Sequence, residues 1–263
     1  MLDLKIALVQ ANLEWKDKRA NFLKFEEFLQ SQKEKPDIII LPEMFATGFV
    51  TEPADMAEDM SGETVSWLVA QAKTYNCAIT GSVIIKENND YYNRLVWVQH
   101  TGEIFTYDKR HLFTYGNEHA QYKAGSERLI VDVLGWKVCP LICYDLRFPV
   151  WSKNTFADGV YGYDLLLYIA NWPTARSFAF RQLLVARAIE NQCYVAGVNR
   201  VGIDGNGVYH QGDSCVLDFK GNHLAEMKPD TEGIAYVNLN YEQLKQARDG
   251  FPVGADWDIY KIQ

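Results

Sequence analysis

The sequence predicts an α/β protein in which two β-sheets face each other and helices cover both outer faces. Three observations carry that expectation. Short apolar runs alternate with helical stripes along the chain. Two of the runs, DIIILPE (37–43) and DLLLYIA (164–170), are apolar almost without a break, as strands covered on both faces are. The two halves also resemble each other weakly. KIALV from Lys5 matches KVCPL from Lys137, and DIIIL from Asp37 matches DLLLY from Asp164. A helix followed by CAITG at Cys77 matches a helix followed by CYVAG at Cys193, and Thr101-Gly102-Glu103 matches Lys220-Gly221-Asn222. Because order is kept, the repeat predicts internal pseudo-two-fold symmetry. It puts Glu43 and Asn171 at comparable strand ends, where open α/β sheets gather their sites.

Taken in order, the predicted strands are 4–11, 37–43, 77–84, 95–99, 103–108, 128–133, 137–143, 164–170, 193–202 and 233–239. Between them, residues 18–33 set Phe22, Phe25, Phe28 and Leu29 on one helical stripe. Residues 63–75 do the same with Val65, Leu68, Val69 and Ala72, with Ser61 as the expected N-cap. Residues 178–191 align Leu183, Leu184, Ala188 and Ile189. The stretch NRLVWVQHTGEIFTYD reads as a hairpin turning near His100-Thr101-Gly102. VGIDGNGVY, around Asn206, lacks the lysine and following helix of a phosphate-binding loop. It is expected to be a long hairpin connection at the mouth of a site. No linker divides the chain, so residues 1–240 are expected to form one domain. Residues 241–263, with Trp257, Ile259 and Tyr260, are expected to pack as a C-terminal helix and tail on that domain or on a dimer partner.

Composition narrows the function classes. A formal net charge of −8 argues against a general nucleic-acid binder. No run approaches the ~18 apolar residues of a membrane span. MLDLKIALVQANLEW has too short an apolar part for a signal peptide. Five cysteines, an odd number set mostly in apolar runs, read as reduced thiols of a cytoplasmic protein. Cys139 and Cys143 lack the C-x-x-C spacing, and no H-x-x-x-H pair occurs, so no metal site is expected.

Three polar residues each end an apolar strand: Glu43 after DIIILP, Lys109 after EIFTYD and Cys143 after KVCPLI. Singly, each has a plain structural explanation: a cap, a solvated charge in DKRH, a packed thiol. Together they could form a machine for acyl transfer. A free thiol ionises near ~8.5, so a nucleophilic cysteine needs a base or a nearby cation. Glu43 could take the proton, Lys109 could hold the developing oxyanion, and the Tyr144 backbone N–H could be a second donor. His111 is the rival base, two residues beyond Lys109.

LPEMF (41–45), YDKRHLF (107–113) and LICYDLRFP (141–149) resemble the three motifs of the nitrilase superfamily of carbon–nitrogen hydrolases. The resemblance runs from the first strand to about residue 240. It implies a four-layer αββα sandwich, assembly as a homodimer or larger homo-oligomer, no cofactor, and catalytic roles for Glu43, Lys109 and Cys143. A further family carboxylate falls on Glu118, in NEHAQYKAG, where it would orient the lysine. Tyr144-Asp145 in place of Trp-Glu speaks for an amide over a nitrile. LPEMFATGF, ANWP and ARAIENQ look most like the ω-amidases, which hydrolyse the terminal amide of 2-oxoglutaramate or 2-oxosuccinamate. Such small-molecule substrates end in a carboxylate that Arg147 could grip bidentately, and Asn171 could hydrogen-bond that carboxylate or the keto group. The plain alternative for Arg147 is a salt bridge to Asp145 or Glu190. Phe45 and Trp172 could wall the pocket. Other readings are an amidase of the same scaffold for deaminated glutathione, an N-carbamoyl amino acid or an aliphatic amide, a nonenzymatic binding protein, and a cysteine peptidase built on His111.

Overall fold

The computed structural model describes residues 2–259. Its strands are β1 (Leu4–Gln10), β2 (Ile38–Ile40), β3 (Ala78–Glu87), β4 (Asp90–Val98), β5 (Ile104–Asp108), β6 (Val131–Val133), β7 (Trp136–Ile142), β8 (Phe156–Ala157), β9 (Val160–Tyr161), β10 (Leu165–Ala170), β11 (Tyr194–Asn199), β12 (Val201–Ile203), β13 (Tyr209–Gln211), β14 (Cys215–Leu217), β15 (His223–Glu226) and β16 (Gly233–Leu239). The α-helices are α1 (Lys18–Gln30), α2 (Glu63–Tyr75), α3 (Pro149–Ser152), α4 (Ser177–Asn191) and α5 (Tyr241–Gly250).

Two six-stranded sheets carry the fold, in the orders β16-β1-β2-β3-β4-β5 and β6-β7-β10-β11-β14-β15. Each has three central parallel strands with antiparallel strands outside them. The sheets therefore correspond strand for strand, and the predicted pseudo-two-fold relation is real. Its chemical signature is a matched pair of aspartates. Asp37 accepts from the Lys5 N–H at 2.8 Å, and Asp164 from the Lys137 N–H at 3.0 Å. Their own amides return to the Lys5 and Lys137 carbonyls at 2.7 and 2.8 Å, locking each central strand pair in register.

Alternation along the strands separates the faces. Leu4, Ile6 and Leu8 of β1 point into a core shared with Leu141, Ile169 and Val198 of the opposite sheet. Ala7 and Val9 face outward onto Phe25 and Leu29 of α1 and Leu68 and Ala72 of α2. Phe180, Leu184 and Ala188 of α4 cover the second sheet. Gly197 lets α4 come close, since a Cβ there would lie 2.6 Å from Leu184 Cδ1. Four layers result.

Several expectations are corrected at the element ends. Helix α1 stops at Gln30 rather than 33. Ser61 does not cap α2; its hydroxyl and amide bond to Asp59 Oδ1 instead, and Gly62 is the N-cap. The cap comes from Glu58, whose carboxylate accepts from the Thr64 and Val65 amides at 2.8 and 3.2 Å. The run 37–43 pairs as a strand only over Ile38–Ile40, and 128–133 only over Val131–Val133. The run 193–202 breaks at Arg200, where Asn199 Oδ1 accepts from the Arg200 and Trp172 amides at 2.9 and 2.7 Å. β12 then leaves the sheet to pair with β13. β3 runs three residues past its expected end and turns into β4 through Asn88 and Asn89, both at positive φ (51° and 71°), as a two-residue hairpin needs.

Beyond residue 240, Asn240 caps α5 through Gln243 N at 2.8 Å. Arg248 of α5 pairs with Asp164 at 2.6 Å. Trp257 meets Tyr161 edge-on at 5.6 Å and lies under Lys153 Nζ at 3.6 Å. Ile259 is exposed, and Tyr260 lies outside the described residues. Among the described residues no helix is long and apolar enough to cross a membrane.

Candidate active site

The site forms where four strand ends of the two sheets meet. β2 leads through Leu41, whose N–H still reaches Thr80 O at 2.8 Å, to a fully buried Glu43. Residue parity on β5 carries Tyr107 and then Lys109 inward, and the Lys109 N–H bonds Asn93 O at 3.0 Å. β7 ends at Ile142, and Cys143 opens a short 3₁₀ turn to Arg147. β10 ends one residue before Asn171.

Cys143 has φ of 41°, in the left-handed region. That conformation costs a non-glycine residue of order 1–3 kcal/mol and persists only where neighbours enforce it. Asp145 supplies the enforcement. It is fully buried and accepts from Tyr107 Oη at 2.7 Å, the His111 N–H at 3.0 Å, His111 Nδ1 at 2.8 Å and the Ile142 N–H at 3.1 Å. The segment after β5 is thus stitched to the cysteine turn. His111 also stacks on Phe148 at 3.7 Å and does not line the cavity of the thiol. Its ring holds Asp145, so the rival base is committed elsewhere.

Lys109, 1% exposed, sits between two buried carboxylates. Its Nζ lies 2.9 Å from Glu43 Oε1, and 3.1 and 2.9 Å from the two Glu118 oxygens. Burial works against the ammonium, but Glu118 and Glu43 outweigh it and hold Lys109 charged far above the ordinary lysine range. Glu118 is not an exposed loop acid. Burial raises its carboxyl, Lys109 opposes the rise, and Phe113 N–H donates to Oε2 at 2.6 Å. Asn93 bridges both acids, donating to Glu43 Oε1 at 2.8 Å and Glu118 Oε1 at 3.2 Å. The other Glu43 oxygen accepts from the Asn171 N–H at 2.8 Å, and the Asn171 side chain donates to the Glu43 carbonyl.

The Cys143 thiol sits within reach of the Glu43 carboxylate, the Lys109 ammonium and the Asn171 amide. Burial pushes it well above the usual thiol range, Glu43 adds to the rise, and Lys109 opposes it. At neutral pH the sulfur therefore rests as a thiol beside the Glu43 side chain. Burial also pushes Cys77, Cys139 and Cys215 up to about 12. Cys143 differs from them in being only half-buried and facing a cavity.

That cavity, about 590 Å³, is lined by Glu43, Lys109, Cys143, Tyr144, Arg147 and Asn171, with Trp172, Phe49 and Phe113 among its walls. The seven residues expected to act on or bind the substrate are thus brought together: six line the cavity, and Glu118 holds Lys109 from behind. Arg147 pairs with neither Asp145 nor Glu190. Its guanidinium lies over the Trp172 ring at 4.8 Å, and Glu190 pairs with Arg187 instead. Phe45 is corrected: it packs on Phe25 and Trp67 under the outer helices, and Phe49 takes the place expected of it. The β12–β13 hairpin brings Asp204, Asn206 and Val208 to the same cavity. Asn93 and Phe49 escaped the sequence reading, as did the buttressing role of Asp145. Asn93 shares strand parity with core residues Leu95 and Trp97, so a polar residue on an inward face was the available signal.

The model of the carbon–nitrogen hydrolase family matches residues 5–249. The chain belongs to the carbon–nitrogen hydrolase family. It is 44% identical to omega-amidase YafV of Escherichia coli (strain K12) over the whole of both chains. It is 34% identical to 2-oxoglutaramate amidase of Bacillus subtilis (strain 168), covering 95% of this chain and 96% of that one. A crystal structure of a CN-hydrolase superfamily protein from Xanthomonas campestris, with an arsenic adduct in its active site, matches with a TM-score of 0.97 and 44% identity over both full chains. Nit3 of Saccharomyces cerevisiae, of the nitrilase superfamily, shares the fold with a TM-score of 0.82 over 95% of both chains at 23% identity. As a carbon–nitrogen hydrolase, the protein is an enzyme of the nitrilase superfamily with an α/β sandwich fold.

Proposed function

We propose that this hydrolase cleaves the terminal amide of a small dicarboxylic acid monoamide, 2-oxoglutaramate or 2-oxosuccinamate, releasing ammonia through a Cys143 thioester. The observation that carries the reading is the Arg147 guanidinium, which makes no ion pair among the described residues, in the cavity that holds Cys143 and Glu43. A planar fork without a carboxylate of its own suits the far carboxylate of such a substrate. The names of the relatives point the same way.

In the proposed cycle Glu43 takes the thiol proton as Cys143 Sγ attacks the amide carbon. The oxyanion is stabilised by the Lys109 ammonium and the Tyr144 N–H. Glu43 returns the proton to the departing nitrogen, ammonia leaves, and the acyl group stays on sulfur. Water then attacks the thioester while Glu43 takes its proton, and collapse of the intermediate restores the thiol and frees the diacid. Glu118 keeps Lys109 in place throughout. Asn171 serves the reaction by orienting Glu43 through its N–H and its side-chain amide.

The test compares ammonia release from 2-oxoglutaramate and from a neutral aliphatic amide, in wild type and Arg147→Gln. Preference for 2-oxoglutaramate, lost in the variant, is expected. Equal turnover of both amides by wild type would instead favour the aliphatic-amide reading.

A further inference from the structure

The same cavity holds a second guanidinium that the proposed cycle does not use. Arg176 closes the 3₁₀ turn Thr174–Arg176 before α4 and lines the cavity. Its guanidinium lies over the rings of Phe113 at 5.4 Å and Tyr115 at 6.0 Å. Tyr115 is 88% exposed, whereas Trp172, beneath Arg147, is 4% exposed. Arg147 is therefore the inner cation and Arg176 the outer one. Among the described residues neither makes an ion pair. Among the described residues neither acid lining the cavity pairs with Arg147 or Arg176: Glu43 faces Lys109, and Asp204 Oδ1 accepts from the Asn206 and Val208 amides at 2.8 and 2.9 Å. Arg176 is also the N-cap residue of α4, which has no acidic residue in its first turn and no side-chain cap, so the positive end of the helix dipole adds to its charge.

This arrangement matters because the protein as a whole carries a net charge of −8 and repels anions. A rim cation on an aromatic shelf reverses the field where a substrate enters. We propose that Arg176 is a specificity-determining residue that draws the carboxylate end of the substrate into the cavity, ahead of Arg147. The identity of the natural substrate rests on the function proposed above; the preference for an anion does not.

Alkylation of Cys143 by iodoacetate and by iodoacetamide separates the two. The reagents differ by one negative charge, and the rate is read by mass on the peptide containing Cys143. In Arg176→Gln the iodoacetate rate is expected to fall about threefold or more while the iodoacetamide rate stays within about twofold. The wild-type iodoacetate rate falls as salt is raised through the range that shortens screening from ~30 to ~3 Å, and the variant's falls less. Arg176→Lys keeps most of the preference. With 2-oxoglutaramate, Arg176→Gln raises KM with kcat retained. An unchanged iodoacetate-to-iodoacetamide ratio, or equal slowing of both reagents, overturns the proposal. A wild type inert toward 2-oxoglutaramate that still shows the salt-sensitive, Arg176-dependent ratio would overturn the substrate assignment and support Arg176 as the anion reader.

Discussion

Replacing Lys109 by Met tests whether the buried cluster is an electrostatic unit. Lys109 Nζ lies within 2.9–3.1 Å of oxygens on both Glu43 and Glu118. At an effective dielectric constant of ~20, unit charges ~3 Å apart attract by about 5 kcal/mol, so each carboxylate loses a contact of that size. The two acids, joined through Asn93, then repel each other by about 3 kcal/mol at a separation of ~5 Å. Part of this is relieved when the pair binds a proton. The expected net loss in Lys109→Met is about 3–5 kcal/mol, the usual cost of breaking a buried ion pair. Glu118→Gln alone leaves Lys109 paired with Glu43 and costs less. In the double variant the like-charge repulsion is gone, so about 2 kcal/mol or more is recovered relative to the sum of the singles. Ammonia release is expected to stay at least about a hundredfold below wild type in both Lys109 variants, since the cation proposed to stabilise the oxyanion is missing. Urea unfolding of the four proteins gives the coupling. Additivity within ~0.5 kcal/mol would refute the reasoning.

Three further outcomes follow from the geometry. Glu58→Ala should cost about 1–2 kcal/mol as a lost helix cap, and Ser61→Ala less than ~0.5 kcal/mol, compared by thermal unfolding; the reverse order would restore Ser61 as the cap. His111→Ala should keep ammonia release within about tenfold of wild type, because the ring buttresses Asp145; a loss beyond ~10³ would make His111 the base. Stability should decline on the alkaline side. Thiols of the unfolded chain ionise near ~8.5, while burial pushes Cys77, Cys139 and Cys215 up to about 12. Above ~8.5 the unfolded state sheds protons that the folded state keeps, so stability present below that pH is lost toward 12, at up to ~1.4 kcal/mol per thiol per pH unit. A urea midpoint unchanged between neutral pH and ~10 would contradict this burial.

The sandwich was legible because its determinants are local and repeated. Uninterrupted apolar runs mark the central strands, and Asp37 and Asp164 recur at equivalent strand starts. Glu43, Lys109 and Cys143 were legible for a related reason: each is a polar residue where an apolar run ends. What escaped depends on contacts between distant residues. Nothing near Asn93 announces that it meets Glu43, fifty positions away in sequence. Asp145 looked like a partner for Arg147 two residues on, yet the turn aims it back at Tyr107 and His111. Phe45 and Phe49 are equally aromatic, and only the turn at Met44, with φ of 44°, sends one to the outer core and leaves the other at the cavity. Ser61 failed as a cap because Glu58, three residues earlier, reaches the same amides.

The most direct test of the proposed chemistry is ammonia release from 2-oxoglutaramate by wild type and Cys143→Ser, measured side by side with folding checked by circular dichroism. Rapid release by wild type that vanishes in a folded Cys143→Ser protein is the expected result. Release that survives the substitution would show that the thiol is not the nucleophile, and would contradict the thioester route at its first step.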